Sequence, residues 1–288
     1  MGERSVIEWT DATWNPWRGC DKVSPGCAHC YMFRDQRRYG RDPSVVVRAS
    51  DATFFAPLRS RRWQAPRKVF TCSWSDWFHE DADPWRAEAW DVIRRTPEHT
   101  YQVLTKRPER IADHLPDDWG DGYANVWLGV TIESRRFVDR ADLLRETPAA
   151  VRFISAEPLL GPLVCGVCGG TGWDVEPGSH GQPVQVMCPE CMRLDGDLDL
   201  AGIDWLIAGG ESGSRPGRML VERDDAGRWV PKVSALGWVR DLRDACERAE
   251  TAFLFKQWGG PRPTSGGRLL DGRTWDEMPT PRPVEVER

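Results

Sequence analysis

The sequence predicts an α/β chain, a (β/α) barrel that need not be complete, interrupted by one small cysteine-bearing insert. Three observations predict it. Short apolar runs alternate with stretches of helical period, polar residues gather just past the ends of those runs, and one glycine- and cysteine-rich segment breaks the alternation.

The apolar runs are Lys68–Cys72, Tyr101–Thr105, Val126–Val130, Val151–Ser155, Asp204–Ala208 and Phe253–Lys256, with a first strand expected near Val6–Trp9. Each is short, β-branched or aromatic, and apolar on both faces, as buried parallel strands are. Pro84–Arg95 reads as a helix with Pro at its start and Trp85, Ala89, Val92 and Ile93 on one face. Ser134–Arg145 reads as a second. Ser234–Ala249 reads as a third, opening on a Ser cap with Leu236, Val239, Leu242 and Cys246 in register. Residues from Ala28 onward read as a helix that stops at Gly40.

Strand alternating with helix is the α/β signature. Ser73, Ser75, Asp76, Thr105, Lys106, Thr131, Glu133, Ser155, Glu157, Glu211 and Ser212 all follow a strand's C-terminal end. In a parallel barrel that face carries the site, whereas an open doubly wound sheet gathers its polar groups at one switch point. Polar groups at five ends favour the barrel. Residues 1–160 and 201–260 would form it, with an insert over 161–200 and a Pro-, Gly- and charge-rich tail over 261–288 that wraps the surface or frays.

Composition narrows the function classes. The 288 residues suffice for one large domain or two small ones, and 40% hydrophobic with 29% charged is the balance of a soluble globular protein. No window supplies the roughly 18 uncharged apolar residues of a membrane helix, so no membrane partner is expected. The opening MGERSVIEWTDATW has neither an apolar core nor a small-residue cleavage site. A cytoplasmic location follows as the expectation. A net charge of -5 argues against a histone-like polyanion binder but leaves room for a local basic groove. Nine cysteines, an odd number in a chain expected in a reducing compartment, should be thiols or metal ligands.

Cys20, Cys27 and Cys30 form a C-x6-C-x2-C set in GCDKVSPGCAHCY. Three thiolates are one short of a closed zinc site. They fit three irons of a 4Fe–4S cluster whose fourth iron stays open, and Ser24-Pro25-Gly26 supplies the turn the loop needs. The alternatives are a zinc loop completed by His29 or a distant residue, and three core thiols. Cys165, Cys168, Cys188 and Cys191 form C-x2-C-x19-C-x2-C, two knuckles that would present four thiolates to one Zn ion. Zinc would also stabilise an insert too poor in apolar residues to fold alone. The alternative is an auxiliary iron–sulfur cluster. Cys72 and Cys246, on a strand and a helix face, read as core thiols.

WNPWRGCDKVSPGCAHCY, with the strand endings TCSWSDWFH, YQVLTKRPER, VWLGVTIE, VRFISAEPLLGP, IDWLIAGGESG and FLFKQWGG, resembles a phage-associated three-cysteine-motif family grouped with the radical S-adenosylmethionine (SAM) superfamily. The resemblance covers roughly residues 5–260. It departs from the C-x3-C spacing usual in radical SAM enzymes, and the family shares the wider loop. The resemblance implies a radical SAM-type barrel and a cluster on Cys20, Cys27 and Cys30 whose open iron binds SAM. One electron from a donor partner would then yield a 5′-deoxyadenosyl radical. The protein would orient SAM and exclude water.

By position, Ser73, Ser75 and Asp76 would meet the SAM amino group. Thr131 and Glu133 would take the ribose hydroxyls, and Glu157 SAM or substrate. Gly209-Gly210-Glu211 resembles the superfamily's Gly-Gly-Glu signature but follows the sixth strand rather than the second, and reads as a close backbone approach to adenine or substrate. Lys106 could pair with a carboxylate or phosphate. Each carboxylate reads equally as a surface charge or loop cap. Trp14, Trp17, Trp74, Trp77 and Trp127 would line the site or simply pack.

Arg59–Lys68 places five positive charges around Trp63, a nucleic-acid contact or a solvated basic loop. Related phage proteins act in thymine hypermodification, including isomerisation of a glycine-bearing thymidine. A modified nucleotide or DNA is thus the implied partner, with a base in duplex DNA flipped out to react. A phage-encoded chain would work in the host cytoplasm. Three readings follow: a radical SAM isomerase or base-modifying enzyme, a radical SAM enzyme on a peptide or metabolite, and a non-catalytic zinc protein that binds DNA.

Overall fold

The computed structural model describes residues 5–59, 63, 65–168, 173–177, 182–188, 197–213 and 216–283. The first half holds β1 (Ala12–Trp14), β2 (Trp17–Arg18), α1 (Tyr31–Arg38), β3 (Val47–Arg48), the short helices α2 (Asp51–Phe54) and α3 (Ala56–Arg59), β4 (Lys68–Thr71), α4 (Asp83–Arg94), β5 (Thr100–Thr105) and β6 (Val126–Thr131). Then come α5 (Arg140–Arg145), β7 (Val151–Ala156), β8 (Trp173–Pro177), β9 (Pro183–Met187), β10 (Trp205–Gly209), β11 (Val221–Arg223), β12 (Trp229–Pro231), α6 (Val233–Arg248) and β13 (Ala252–Gln257).

Seven strands form one sheet in the order β1-β4-β5-β6-β7-β10-β13, which is also their order in the chain. The pairs β1–β4, β4–β5, β5–β6 and β10–β13 run parallel. The order never reverses, so the sheet has no switch point of the doubly wound kind. Winding in one direction with β1 and β13 left as edges is the topology of a partial (β/α) barrel. The six apolar runs of the sequence all became strands of this sheet.

The first strand differs from expectation. It lies at Ala12–Trp14, not near Val6–Trp9, and Val6 is 95% exposed. Its burial alternates, with Ala12 and Trp14 inward, and it is anchored by side chains before it. Asp11 Oδ2 accepts from the Lys68 N–H at 2.8 Å, and Thr10 Oγ1 donates to Lys68 O at 3.0 Å.

The chain forms two compact units. One comprises residues 1–131, 143–153 and 280–288, and the other residues 132–142 and 154–279. In the first, the tryptophans are core. The Trp77 ring lies 6.0 Å from Trp14, 5.0 Å from Trp17 and 4.8 Å from Trp90, and all four are buried. Trp127 is buried as well, and Trp74 half-buried. On α4 the buried residues are Arg86, Ala89, Trp90, Val92 and Ile93; Trp85 is only half-buried. Helix α1 starts at Tyr31, three residues later than Ala28, and Gly40 follows it at φ 68°.

Residues 135–145 are not one helix. Ser134 is extended, a 3-10 turn spans Arg135–Phe137, and α5 is short. Helix α6 is capped by Lys232 without a side-chain bond, so Ser234 lies inside the first turn rather than at the cap; Ala235, Val239, Leu242 and Cys246 are buried and Leu236 half-buried. The hairpin β8–β9 is antiparallel, from Trp173 opposite Met187 to Pro177 opposite Pro183. The tail is ordered along β13. The Phe255 N–H donates to Trp275 O, the Phe253 N–H donates to Glu277 Oε2, both at 2.9 Å, and Leu254 bridges Asp276 antiparallel.

Candidate metal and cofactor site

The first cysteine loop is held by backbone bonds that only glycine permits at one point. Gly19 leaves β2 at φ 99°, and a Cβ there would stand 2.2 Å from the Val45 carbonyl oxygen. Its N–H donates to Trp74 O at 3.0 Å, the Ser75 hydroxyl donates to Gly19 O at 2.5 Å, and the Cys20 N–H donates to Pro43 O at 2.9 Å. The loop then closes in a 3-10 turn over Pro25–Cys27, with Cys30 at the N-cap of α1. Cys27 is buried, and Cys20 and Cys30 are half-buried.

Arg107, itself buried, points Nη1 at Cys20 Sγ across 3.7 Å. Burial pushes the Cys20 thiol up to about 12, with Asp76 adding to the effect and Arg107 opposing it. Burial also raises the Cys30 thiol. Metal loading here must therefore displace protons.

The two cysteine sets differ in spacing. Among the described residues, Cys165, Cys168 and Cys188 are the one trio of metal-ligand side chains whose ligand atoms all lie within 4.8 Å of one another. Their Cys165 and Cys188 sulfurs are 3.7 Å apart. A tetrahedral zinc with bonds of about 2.3 Å needs sulfurs about 3.8 Å apart, so this trio fits a single ion. Cys191 lies outside the described residues. Cys168 donates toward Asp197 Oδ2 at 3.9 Å, and Asp197 pairs with Arg135 at 2.7 Å. Cys20, Cys27 and Cys30 do not gather in that way: their three sulfurs do not all lie within 4.8 Å of one another.

The strand-end residues of the first unit brace the loop. Asp76 Oδ1 accepts from the Thr105 hydroxyl at 2.6 Å and the Phe78 N–H at 2.9 Å; Oδ2 accepts from the Lys106 N–H at 2.9 Å and pairs with Arg107 at 3.5 Å. Asp76 is thus a clamp between the ends of β4 and β5. Asn15 Nδ2 donates to the Ser73 hydroxyl at 3.0 Å, and Tyr31 donates to Ser73 O at 2.7 Å. Lys106 Nζ donates to the buried Thr131 hydroxyl at 3.3 Å.

In the second unit every carboxylate considered from sequence has a cation. Fully buried Glu133 pairs with Arg140 at 3.2 Å, and Glu157 pairs with Lys256 at 2.7 Å. Arg218 grips Glu211 with two bonds, of 2.9 and 3.1 Å. Gly209 lies against Glu157. The approach that Gly210 permits is to the chain itself, because a Cβ there would meet Trp258 O at 2.1 Å.

A family model described as proteins of unknown function, DUF5131, matches residues 4–279. The chain belongs to the DUF5131 family. No curated protein and no solved structure matches it.

The DUF5131 match encloses both cysteine sets and every strand-end residue above. Sequence reasoning missed Asn15, Tyr31, Arg107, Arg140 and Arg218. It had Lys256 only as the end of a strand. The signal available for Arg107 was its place in TKRPER, directly after the β5 end. The basic segment 59–68 differs from its nucleic-acid reading at the aromatic. Trp63 is buried, 5.4 Å from the His99 ring, and offers no stacking face. Ser60, Arg61, Arg62 and Gln64 lie outside the described residues.

Proposed function

We propose that this DUF5131 chain is a radical SAM iron–sulfur enzyme, an isomerase or base-modifying enzyme that acts on a hypermodified thymidine of the glycinyl type in phage DNA, in the cytoplasm of the host. The observation that carries the reading is the braced loop of Cys20, Cys27 and Cys30. Its three sulfurs do not all lie within 4.8 Å of one another, and Ser75 and Asp76, which hold Gly19 O and the Cys20 partner Arg107, follow a strand end. The substrate class comes from the family resemblance.

Cys20, Cys27 and Cys30 would hold a 4Fe–4S cluster. When bound, that cluster supplies reductive cleavage of SAM to a 5′-deoxyadenosyl radical, using an electron from a partner protein. Arg107 donates to the Cys20 sulfur and offsets its negative charge. Lys106 presents an ammonium beside Thr131, fit for a carboxylate or phosphate, while Thr131 offers a hydroxyl to a ribose. Glu157 with Lys256, and Glu211 with Arg218, are ion pairs that a polar substrate could enter by replacing one partner. Cys165, Cys168, Cys188 and Cys191 would hold structural zinc, which the 3.7 Å sulfur spacing favours over an auxiliary cluster.

The test is anaerobic reconstitution with iron and sulfide, followed by metal and sulfide counts in the natural chain and in a Cys20/Cys27/Cys30→Ala variant. About four irons lost in the variant with about one zinc kept in both is the expected result. SAM cleavage by the reconstituted chain should follow. Zinc alone in both proteins would overturn the radical reading and leave a zinc-stabilised DNA-binding module.

A further inference from the structure

A recess of about 270 Å³ opens behind the cysteine loop, lined by Arg18, Gln36, Arg41, Asp42, Val45 and Val47. It lies wholly in the first compact unit, between α1, the loop that follows it and the β2–β3 ribbon. Three features of its walls lack a structural explanation.

Arg18 is half-buried and, among the described residues, has no carboxylate partner. Its electrostatic neighbour is another cation, Arg41, and burial together with that neighbour weakens its hold on a proton. Two guanidinium groups do not converge at a partly desolvated place for stability, since like charges there repel. Arg37 and Arg38 have an ordinary reason to be where they are, the carbonyl end of α1. Arg18 has none.

The second feature is Gln36. It is 2% exposed, and its Nε2 makes no hydrogen bond among the described residues. A buried amide donor left unpaired is costly, so one aimed into a recess beside two arginines is a donor awaiting an acceptor. The third is the rim. Tyr39 is 63% exposed, with the Arg41 guanidinium 5.9 Å from its ring and Trp74 at 6.3 Å.

An anion with several oxygens would answer both the two cations and the amide donor at once. Asp42 also lines the recess, but its Oδ1 is taken by the Ser44 N–H at 3.0 Å and the Ser44 hydroxyl at 2.7 Å. Two arginines against one aspartate leave the walls one charge positive in a chain whose net charge is -5. The volume is below the roughly 300–1,000 Å³ of pockets that enclose a whole ligand. It suits one anionic group of a molecule whose remainder stays outside, against the exposed Arg37, Arg38 and Tyr39. Backbone phosphate with a stacked base beside it is that chemistry.

We propose that Arg18, Gln36 and Arg41 form a phosphate-binding recess that takes a phosphodiester of single-stranded nucleic acid. This gives the DNA partner of the preceding section a point of contact, yet it needs neither iron nor SAM. Its failure would leave the metal counts untouched, and failed metal counts would leave it standing.

The experiment is fluorescence anisotropy of a labelled 20-nucleotide DNA strand with the full chain, titrated at several salt concentrations. Arg18→Gln, Arg41→Gln and Gln36→Leu are compared with Arg95→Gln, an exposed arginine of α4's end. The exposed Arg41 change carries no folding risk, and thermal melts check the other two. Binding should weaken about tenfold in each arginine variant, and the slope of log affinity against log salt should fall by about 1. Gln36→Leu should weaken binding without changing the slope, and Arg95→Gln should leave both unchanged. No binding by the natural chain, or equal loss in Arg95→Gln, would overturn the proposal. Equal competition by poly-glutamate would reduce the recess to a general anion sink. Competition by inorganic phosphate at the same phosphate concentration would assign it to free phosphate and overturn the nucleic-acid assignment.

Discussion

Arg107 sits between the Asp76 carboxylate at 3.5 Å and the Cys20 sulfur at 3.7 Å. With a cluster on Cys20, a cation donating to that sulfur favours the reduced state. Arg107→Met should therefore lower the midpoint potential by on the order of tens of millivolts, with Arg107→Lys in between. A redox titration followed by electron paramagnetic resonance reads this, and an unchanged potential would reduce Arg107 to a packing residue. His99 gives a second prediction at this scale. Its ring is fully buried, 6.2 Å from Tyr101, and burial lowers its pKa from the ordinary 6.5, against a smaller opposing pull from Glu98. Below pH 6.5 the unfolded chain takes up a proton that the folded one resists. The stability due to neutral His99 is thus complete above that pH and is lost as the pH falls below it. Melting temperature between pH 7.5 and pH 5 should drop less steeply in His99→Phe than in the natural chain; parallel curves would refute the assignment.

At the scale of elements, the strands were legible because β4, β5, β6, β7, β10 and β13 are short apolar runs between polar turns. β1 was not. Thr10-Asp11-Ala12-Thr13-Trp14 reads as polar; Ala12 and Trp14 turn inward together with the hydroxyl-bearing Thr10, so its apolar content lies almost wholly in one side chain, Trp14. The partners of the strand-end carboxylates were invisible for another reason. Glu157 and Lys256 are 99 residues apart, and nothing in either local sequence points to the other. The cysteine spacings, by contrast, are local, and the trio Cys165, Cys168 and Cys188 converges as its knuckles suggest. The aromatic cluster sets a measurable cost. Trp77 touches Trp14, Trp17 and Trp90 and is fully buried, so Trp77→Ala should cost about 3–5 kcal/mol in urea unfolding. A loss below about 1 kcal/mol would mean that the cavity collapses around the missing ring.

On the scale of the whole molecule, the α/β class and the one-way winding of the sheet followed from the alternation of patterns and from polar groups at many strand ends. An edge is the inevitable companion of a sheet that does not close, and β13 is one of the two here. Segment 273–277 lies along it. Trp275 O and the Glu277 carboxylate take the N–H groups of Phe255 and Phe253, and Trp205 Nε1 donates to Glu277 O at 2.9 Å. A chain cut after Gly272 would bare those donors on a strand that reads Ala-Phe-Leu-Phe. Light scattering should then show growth into polymers at concentrations where the full chain stays dispersed, because an open, apolar strand is a template for the next copy. Segment 273–277 thereby works as a terminator of β-sheet extension, keeping the molecules of a crowded solution from reading one another as further strands.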